Sequence, residues 1–251
     1  MSRRVLVRRL LALGATSGIA REALRCVAAQ GARLYLVARD SEKLGVTADD
    51  LKVRGAAAVE CLQADLTDSN LHSEILDRAF SIWQGLDAAL IAHGTLPDQD
   101  QAEKDMSVLQ DALDANYVST ALLLAQLANR FEQQRSGVIA VIGSVAGDRG
   151  RKSNYIYGSA KAGLATYAAG LRLRLEPAGV HVILIKPGWV STPMTAHLKP
   201  NALYASSERA GRDVYNAIVQ PRPVVYIPWF WKWLMLAIRL VPDAIFKRLN
   251  L

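Results

Sequence analysis

A short glycine loop set between an apolar run and an amphipathic run limits the folds open to this chain more than any other feature. Leu10-Leu11-Ala12-Leu13 leads into Gly14-Ala15-Thr16-Ser17-Gly18-Ile19-Ala20, and Glu22 to Ala29 follows with helical apolar spacing. Strand, tight turn and helix, in that order, is the context a nucleotide loop requires. Gly14 permits the turn and Gly18 lets backbone approach a phosphate. The helix behind them offers unpaired N–H groups and the positive end of its dipole. Thr16, Ser17 and Ile19 fall within the same loop, and Ala20 holds the third small position, where helix packs on strand. An isolated glycine turn would look no different, so the remainder of the chain decides.

The remainder repeats the rhythm. Arg33 to Ala38, Ala56 to Leu62, Ala88 to Ala92, Val138 to Ile142 and Val180 to Ile185 are strand-like runs separated by periodic helices. Such alternation predicts one α/β domain, a doubly wound Rossmann-type parallel sheet with helices on both faces. Residues 1–228 are expected to form this dinucleotide-binding domain. Residues 229–251 are expected to be an amphipathic helical tail on the domain or on a membrane surface, not a second domain.

The second run ends in Ala38 and is followed by Arg39-Asp40. An acidic side chain there suits the ribose 2′-hydroxyl of NAD, whereas an arginine suits the 2′-phosphate of NADP. Arg39 therefore favours NADP(H) over NAD(H), with Asp40 pulling the other way. Asp65-Leu66 after the third run is placed beside the adenine, although a helix-capping aspartate would read the same.

A second constellation lies downstream. Tyr157 and Lys161 are four apart, on one helical face. A free phenol titrates near 10, and a neighbouring cation lowers that value toward the range useful for proton transfer. A half-buried tyrosine beside a solvated lysine has the same spacing. Ser144, thirteen residues before Tyr157, Asn116 in Asp114-Ala115-Asn116-Tyr117-Val118, and Pro187-Gly188-Trp189-Val190-Ser191-Thr192 after the sixth run complete the set.

In order and type these residues resemble the short-chain dehydrogenase/reductase family over nearly the whole chain. The resemblance implies that Ser144 hydrogen-bonds a substrate carbonyl, Tyr157 donates the proton, and Lys161 tunes Tyr157 and holds the nicotinamide ribose. It further implies that Asn116 holds a relay water, that Thr192 fixes the carboxamide, and that Gly94, Pro187, Gly188 and Val190 border the cofactor. Taken singly, Ser144 could cap a turn, Asn116 could bond within a helix and Thr192 could cap the helix after Pro193. One departure is plain: many members carry Asn-Asn-Ala-Gly after the fourth strand, where this chain has Ile91-Ala92-His93-Gly94. His93 there reads either as a lining residue of the cofactor pocket or as a satisfied core histidine.

Three segments carry a narrower likeness. Ser144 to Lys152, Ser191 to Lys199 and Ile245 to Leu249 look like reductases of decaprenylphosphoryl-2-keto-ribose, which act on a keto-sugar carried by a polyprenyl phosphate after a separate oxidase. That likeness implies a lipid-linked sugar as substrate and an oxidase as partner. Arg149, Arg151 and Lys152 would then meet the lipid phosphate at the mouth of the site by charge-assisted hydrogen bonds. A solvated basic loop is the alternative for these three. A reductase of a soluble or acyl-type ketone, and a dinucleotide-binding sensor without turnover, are the alternative functions.

Charge and tail bear on location. The net charge of +7 is concentrated in Arg3, Arg4, Arg8 and Arg9 and in Arg222, Lys232, Arg239, Lys247 and Arg248 near the end. No stripe of interleaved basic and aromatic residues supports nucleic acid as partner. Pro228 to Val241 is shorter and more charged than the roughly twenty apolar residues of a spanning helix. Its tryptophans and leucines, with Lys232 and Arg239 on one face, suit an interfacial helix on an anionic membrane, or else a homo-oligomer contact. Pro242 breaks it before a second stripe of Ile245, Phe246 and Leu249. The expected location is cytoplasmic, peripheral on the inner face of the membrane, since cleavage of a leader would destroy the glycine loop. Cys26 and Cys61 read as buried thiols, and His72, His93, His181 and His197 lack ligand spacing, so no metal is expected.

Overall fold

The computed structural model describes residues 4–196 and 201–248, so Arg3, His197, Leu198, Lys199 and Leu249 lie outside the described residues. Seven parallel strands form the central sheet: β1 (Arg9–Leu13), β2 (Arg33–Ala38), β3 (Ala58–Gln63), β4 (Ala88–Ile91), β5 (Gly137–Ile142), β6 (Val180–Pro187) and, later in the chain, β9 (Val224–Ile227). They lie in the order β3-β2-β1-β4-β5-β6-β9. A small parallel pair, β7 (Val190–Ser191) and β8 (Ala205–Ser206), stands apart.

Strand periodicity sorts the core into two layers. Leu10, Ala12, Leu34, Leu36, Leu90 and Ile183 face one side, against α1 (Gly18–Ala28), α2 (Ser41–Val53) and α8 (Ser207–Val219). Leu11, Leu13, Tyr35, Val37, Ile91 and Leu184 face the other, against α3 (His72–Ser81), α6 (Ser119–Gln134) and α7 (Tyr155–Leu175). Strands covered on both sides need no polar face, which is why their runs read as continuously apolar. The shorter α4 (Gln99–Lys104) and α5 (Met106–Leu113) pack beside α7.

Three local features differ from or extend the expectations. Cys61 is exposed, because β3 is the outermost strand and its residues are largely uncovered, and Cys26 on α1 is only partly buried. The seventh strand has no counterpart among the runs read from sequence: Pro223 and Pro228 enclose it and argue against a strand, yet proline is tolerated at a sheet edge. The paired arginines stand at the start of β1 without disturbing it. Arg9 forms an ion pair with Asp87 at 2.8 Å, and the backbone N–H groups of Arg8 and Arg9 both donate to the same carboxylate.

The tail is α9 (Trp231–Leu240) followed, after Pro242, by α10 (Asp243–Phe246). One face of α9 buries Trp231 and Met235 against Val145, Trp189 and Tyr226. The opposite face exposes Trp233, Leu236 and Leu240 together with Lys232 and Arg239, and Trp229 just ahead of it is exposed too. Among the described residues no helix is long and apolar enough to cross a membrane.

Candidate active site

The carboxyl ends of β1 and β4 are adjacent, and the chain leaves them in opposite directions across the sheet. Doubly wound sheets open a crevice at such a switch point. Here it is a cavity of about 400 Å³, and every catalytic and cofactor residue named from sequence lines it.

Backbone shapes one end of this cavity. Gly14 has a φ of +85°, and a Cβ there would sit 2.5 Å from the backbone N of His93. Only glycine lets β1 turn this close to the strand beside it. Ser17 is the N-cap of α1 but its side chain caps nothing, so the first-turn N–H groups of that helix stay available to an anion. Thr192 comes from the opposite wall, and its methyl would lie 3.1 Å from a Cβ on Gly18. Arg39 is exposed and pairs loosely with Asp65 at 3.8 Å. Asp40 is turned away: it caps α2 by accepting from the backbone of Lys43 and pairs with that lysine's ammonium at 2.9 Å. Asp65 accepts from both the N–H and the hydroxyl of Thr67, forming its own small turn. An anion-ready helix end, a bare glycine turn and an arginine at the end of β2 fit a dinucleotide.

Ser144, Tyr157 and Lys161 meet beyond this end. Gly147 makes the meeting possible, because a Cβ there would sit 2.7 Å from the backbone carbon of Lys161, so the loop after β5 lies directly on α7. Ser144 opens that loop and accepts from Ala146 N–H at 3.0 Å. Lys161 is 4% exposed, its Nζ 3.4 Å from the carbonyl of Ile142 and 5.6 Å from the Tyr157 ring centroid. The lysine was expected to lower the phenol. In the structure burial dominates and pushes Tyr157 up to about 12, with the Ser144 hydroxyl acting the other way. Burial also brings the Lys161 ammonium down to about 8. Both groups lose water in one enclosed space, so both charged forms are disfavoured.

Asn116 sits in a π-helical turn, Asp114–Val118, between α5 and α6. Its amide donates to the carbonyls of Ala112 and Thr95, each at 2.9 Å, and its oxygen accepts from Thr95 N–H at 3.2 Å. The side chain therefore fastens the loop after β4, and a relay water would have to be held by something other than the amide hydrogens. Ile91 and Ala92 take the places of the two asparagines of the Asn-Asn-Ala-Gly motif, and His93 stands where that motif has alanine. Its Nε2 is 2.9 Å from the Ser119 hydroxyl, while Nδ1 is buried without a partner among the described residues. Burial, aided by Lys161, pushes this imidazole down to about 3, which keeps it neutral.

The other end of the cavity is made of side chains. Asp148, buried on the loop after Ser144, accepts from Lys186 on β6 and, at 2.8 Å, from the Tyr226 hydroxyl on β9. This anchor was invisible in the sequence, since its partners lie 38 and 78 residues away. Arg149 was expected at the mouth for a lipid phosphate, but it faces the tail. Its guanidinium donates to the carbonyls of Ile238 and Val241, pairs with Asp243 at 2.7 Å and stacks on Phe246 at 3.8 Å. Both carbonyls lie at the end of α9, where Ile238 also accepts from Val241 N–H at 3.3 Å, and a guanidinium is well suited to cap such a helix end. Lys152 is exposed and does not line the cavity; Arg151 does. Trp189, Met194 and Asn154 join it there, none of them singled out from sequence. Trp189 stacks on Tyr204 and meets Trp231 edge-on, each at 5.6 Å, so the tail backs the substrate wall.

The family model for short chain dehydrogenase matches residues 8–203, which hold the glycine loop, β1 to β6 and the catalytic set. The chain belongs to the short-chain dehydrogenase family. It is an oxidoreductase. An uncharacterized oxidoreductase of Mycobacterium tuberculosis is 35% identical over 236 residues, covering 94% of each chain. Another, from Streptomyces coelicolor, is 31% identical and covers 96% of each. Among solved structures, levodione reductase superposes with a TM-score of 0.82 at 21% identity, covering 90% of this short-chain dehydrogenase and 98% of that chain. A variant of actinorhodin polyketide ketoreductase with NADPH gives 0.78 at 20% identity, covering 87% and 95%.

Proposed function

We propose that this short-chain dehydrogenase reduces a ketone to a secondary alcohol with NADPH, and that its substrate is a keto-sugar carried on a polyprenyl phosphate. The convergence of Ser144, Tyr157 and Lys161 at the inner end of a dinucleotide-shaped cavity carries the reading. When bound, the reduced nicotinamide supplies a hydride to the carbonyl carbon. Ser144 donates to the carbonyl oxygen and fixes its direction, and Tyr157 gives its phenolic proton to the same oxygen. A phenol held up near 12 is fully protonated at neutral pH, as a proton donor in the reductive direction requires. Lys161, beneath the ring, offsets the phenolate that remains and holds the ribose hydroxyls. Asn116 sets the position of the loop carrying Gly94 and Thr95 against the cofactor.

Cofactor preference follows from Arg39 and Asp40. The acid that would favour NAD is occupied at the cap of α2, and Arg39 lines the cavity with its charge toward solvent, in reach of a 2′-phosphate. The lipid-linked substrate is supported by the sequence likeness and by the exposed stripe of α9. Trp229, Trp233, Leu236 and Leu240 with Lys232 and Arg239 match a headgroup-level anchor on anionic lipid at the cytoplasmic face, next to the loop that closes the substrate end. A partner oxidase would supply the ketone.

The test is NADPH oxidation with a polyprenyl-phosphate 2-keto-pentose, a soluble ketone and a 3-keto-acyl thioester in parallel. Turnover confined to the lipid-linked sugar is expected. Turnover confined to the soluble or acyl ketone would keep the reductase and discard this substrate.

A further inference from the structure

Two half-buried side chains at the substrate end each hold one buried polar atom without a partner among the described residues. The Nε of Arg151 meets no acceptor and the Oδ1 of Asn154 meets no donor among the described residues, and both side chains line the cavity with Ser144 and Tyr157. A single turn brings them together, since Asn154 N–H donates to the carbonyl of Arg151 at 3.1 Å. Buried polar groups are ordinarily paired, and a donor and an acceptor left open on one turn are an uncompensated cost to the fold.

Neither gap is explained by the protein's own packing. The carboxylate whose charge Arg151 feels is Asp148, and its oxygens are taken by Lys186 and Tyr226. Burial lowers the Arg151 pKa from its ordinary value and outweighs the opposing charge of Asp148. Asn154 stands at the N-cap of α7, where asparagine normally accepts from the helix's first N–H groups, yet its side chain makes no such bond.

We infer that Arg151 and Asn154 form a substrate subsite in which Arg151 takes a phosphate or carboxylate borne by the ketone and Asn154 accepts from a hydroxyl beside the carbonyl. The inference rests on the reductase reading for its place beside Tyr157 and narrows the substrate to hydroxylated ketones that carry an oxyanion. A guanidinium binds either oxyanion through paired N–H donors. Held at two points, the substrate presents its carbonyl to Ser144 and Tyr157 in one orientation. Arg151 and Asn154 are thus specificity determinants that touch substrate away from the reacting atoms.

Binding without turnover separates this inference from the reductase reading. With NADP⁺ saturating the cofactor end, calorimetric titration compares ribose 5-phosphate, ribonate and ribose. At least one anionic probe is expected to bind tenfold or more tightly than ribose. Phosphate ahead of carboxylate assigns a phosphate ester, and the reverse order assigns a carboxylate. Arg151→Met is expected to erase the advantage and Arg151→Lys to restore part of it, with Arg151→Gln standing in if the methionine variant does not fold. Asn154→Ala is expected to weaken all three probes about threefold to tenfold while leaving Tm unchanged, because no cap bond is lost. Equal binding of the three probes, or an anionic advantage that survives removal of the guanidinium, overturns the inference. The expected binding pattern in a protein that turns over no ketone would overturn the reductase reading and leave the subsite standing.

Discussion

The cofactor end of the cavity is made mostly of backbone, and the substrate end mostly of side chains held from behind. At the first, Gly14, Gly18 and the start of α1 set the shape, while Asp40 and Asp65 are already engaged within their own turns. At the second, Arg151 and Asn154 line the cavity, each with one buried polar atom unpaired among the described residues, on a loop fastened by Asp148 to β6 and β9 and by Arg149 to the tail. A backbone cradle serves any ligand with the same phosphates and ribose. A wall of side chains can change with the substrate while the sheet beneath it stays, so chemistry and specificity are separable within one cavity.

If the substrate end depends on that fastening, Asp148→Ala should be the most damaging change there. It strands the buried Lys186 ammonium, and breaking a buried pair in this way costs about 3–5 kcal/mol. Urea denaturation should show that loss, with NADPH affinity of the folded fraction little changed. A loss below about 1 kcal/mol would mean that the loop is held by other contacts.

The two ends also differ in how protons act on them. Lys161 is expected to lose its proton near pH 8, so kcat/KM for reduction should fall about tenfold per pH unit above that point. Stability should move in the opposite direction. Between about 8 and the ordinary lysine value of 10.5 the unfolded chain holds the proton and the fold does not, so unfolding free energy rises with pH across that window. Lys161→Met should remove both trends, and a high-pH limb retained in that variant would assign it elsewhere.

A smaller effect sharpens the cofactor end. Arg39→Ala should weaken NADPH about tenfold, near 1.4 kcal/mol, and leave NADH almost unchanged. Equal weakening of both would discard the 2′-phosphate assignment. The smallest effect concerns the outer face of the tail. The protein should sediment with anionic liposomes, and Trp233→Ala should reduce the bound fraction roughly threefold, because that ring packs on nothing in the protein core. Recovery in the supernatant with and without liposomes alike would favour contact between copies of the chain.

The same contrast explains what could be read from sequence. The glycine loop, the six strand runs and the Tyr157/Lys161 spacing were legible because each is local: a turn, a short apolar run, or one helical turn. β9 escaped because prolines flank it on both sides and, as an edge strand, it is only partly covered. The direction of the Tyr157 shift was misread because burial is a property of the packed cavity, and four-residue spacing reports only the neighbour. Arg149 and Arg151 stand two apart in one basic run, and nothing in that run says that the first caps α9 while the second faces the cavity. Only β6, β9 and the tail, brought in from far along the chain, separate them.

The catalytic assignment is tested most directly by Tyr157→Phe, comparing single-turnover NADPH oxidation with NADPH binding measured by fluorescence. The account predicts a rate at least about a thousandfold lower with cofactor affinity unchanged within roughly threefold, as removal of a general acid requires. A phenylalanine variant that turns over at the full rate would contradict it.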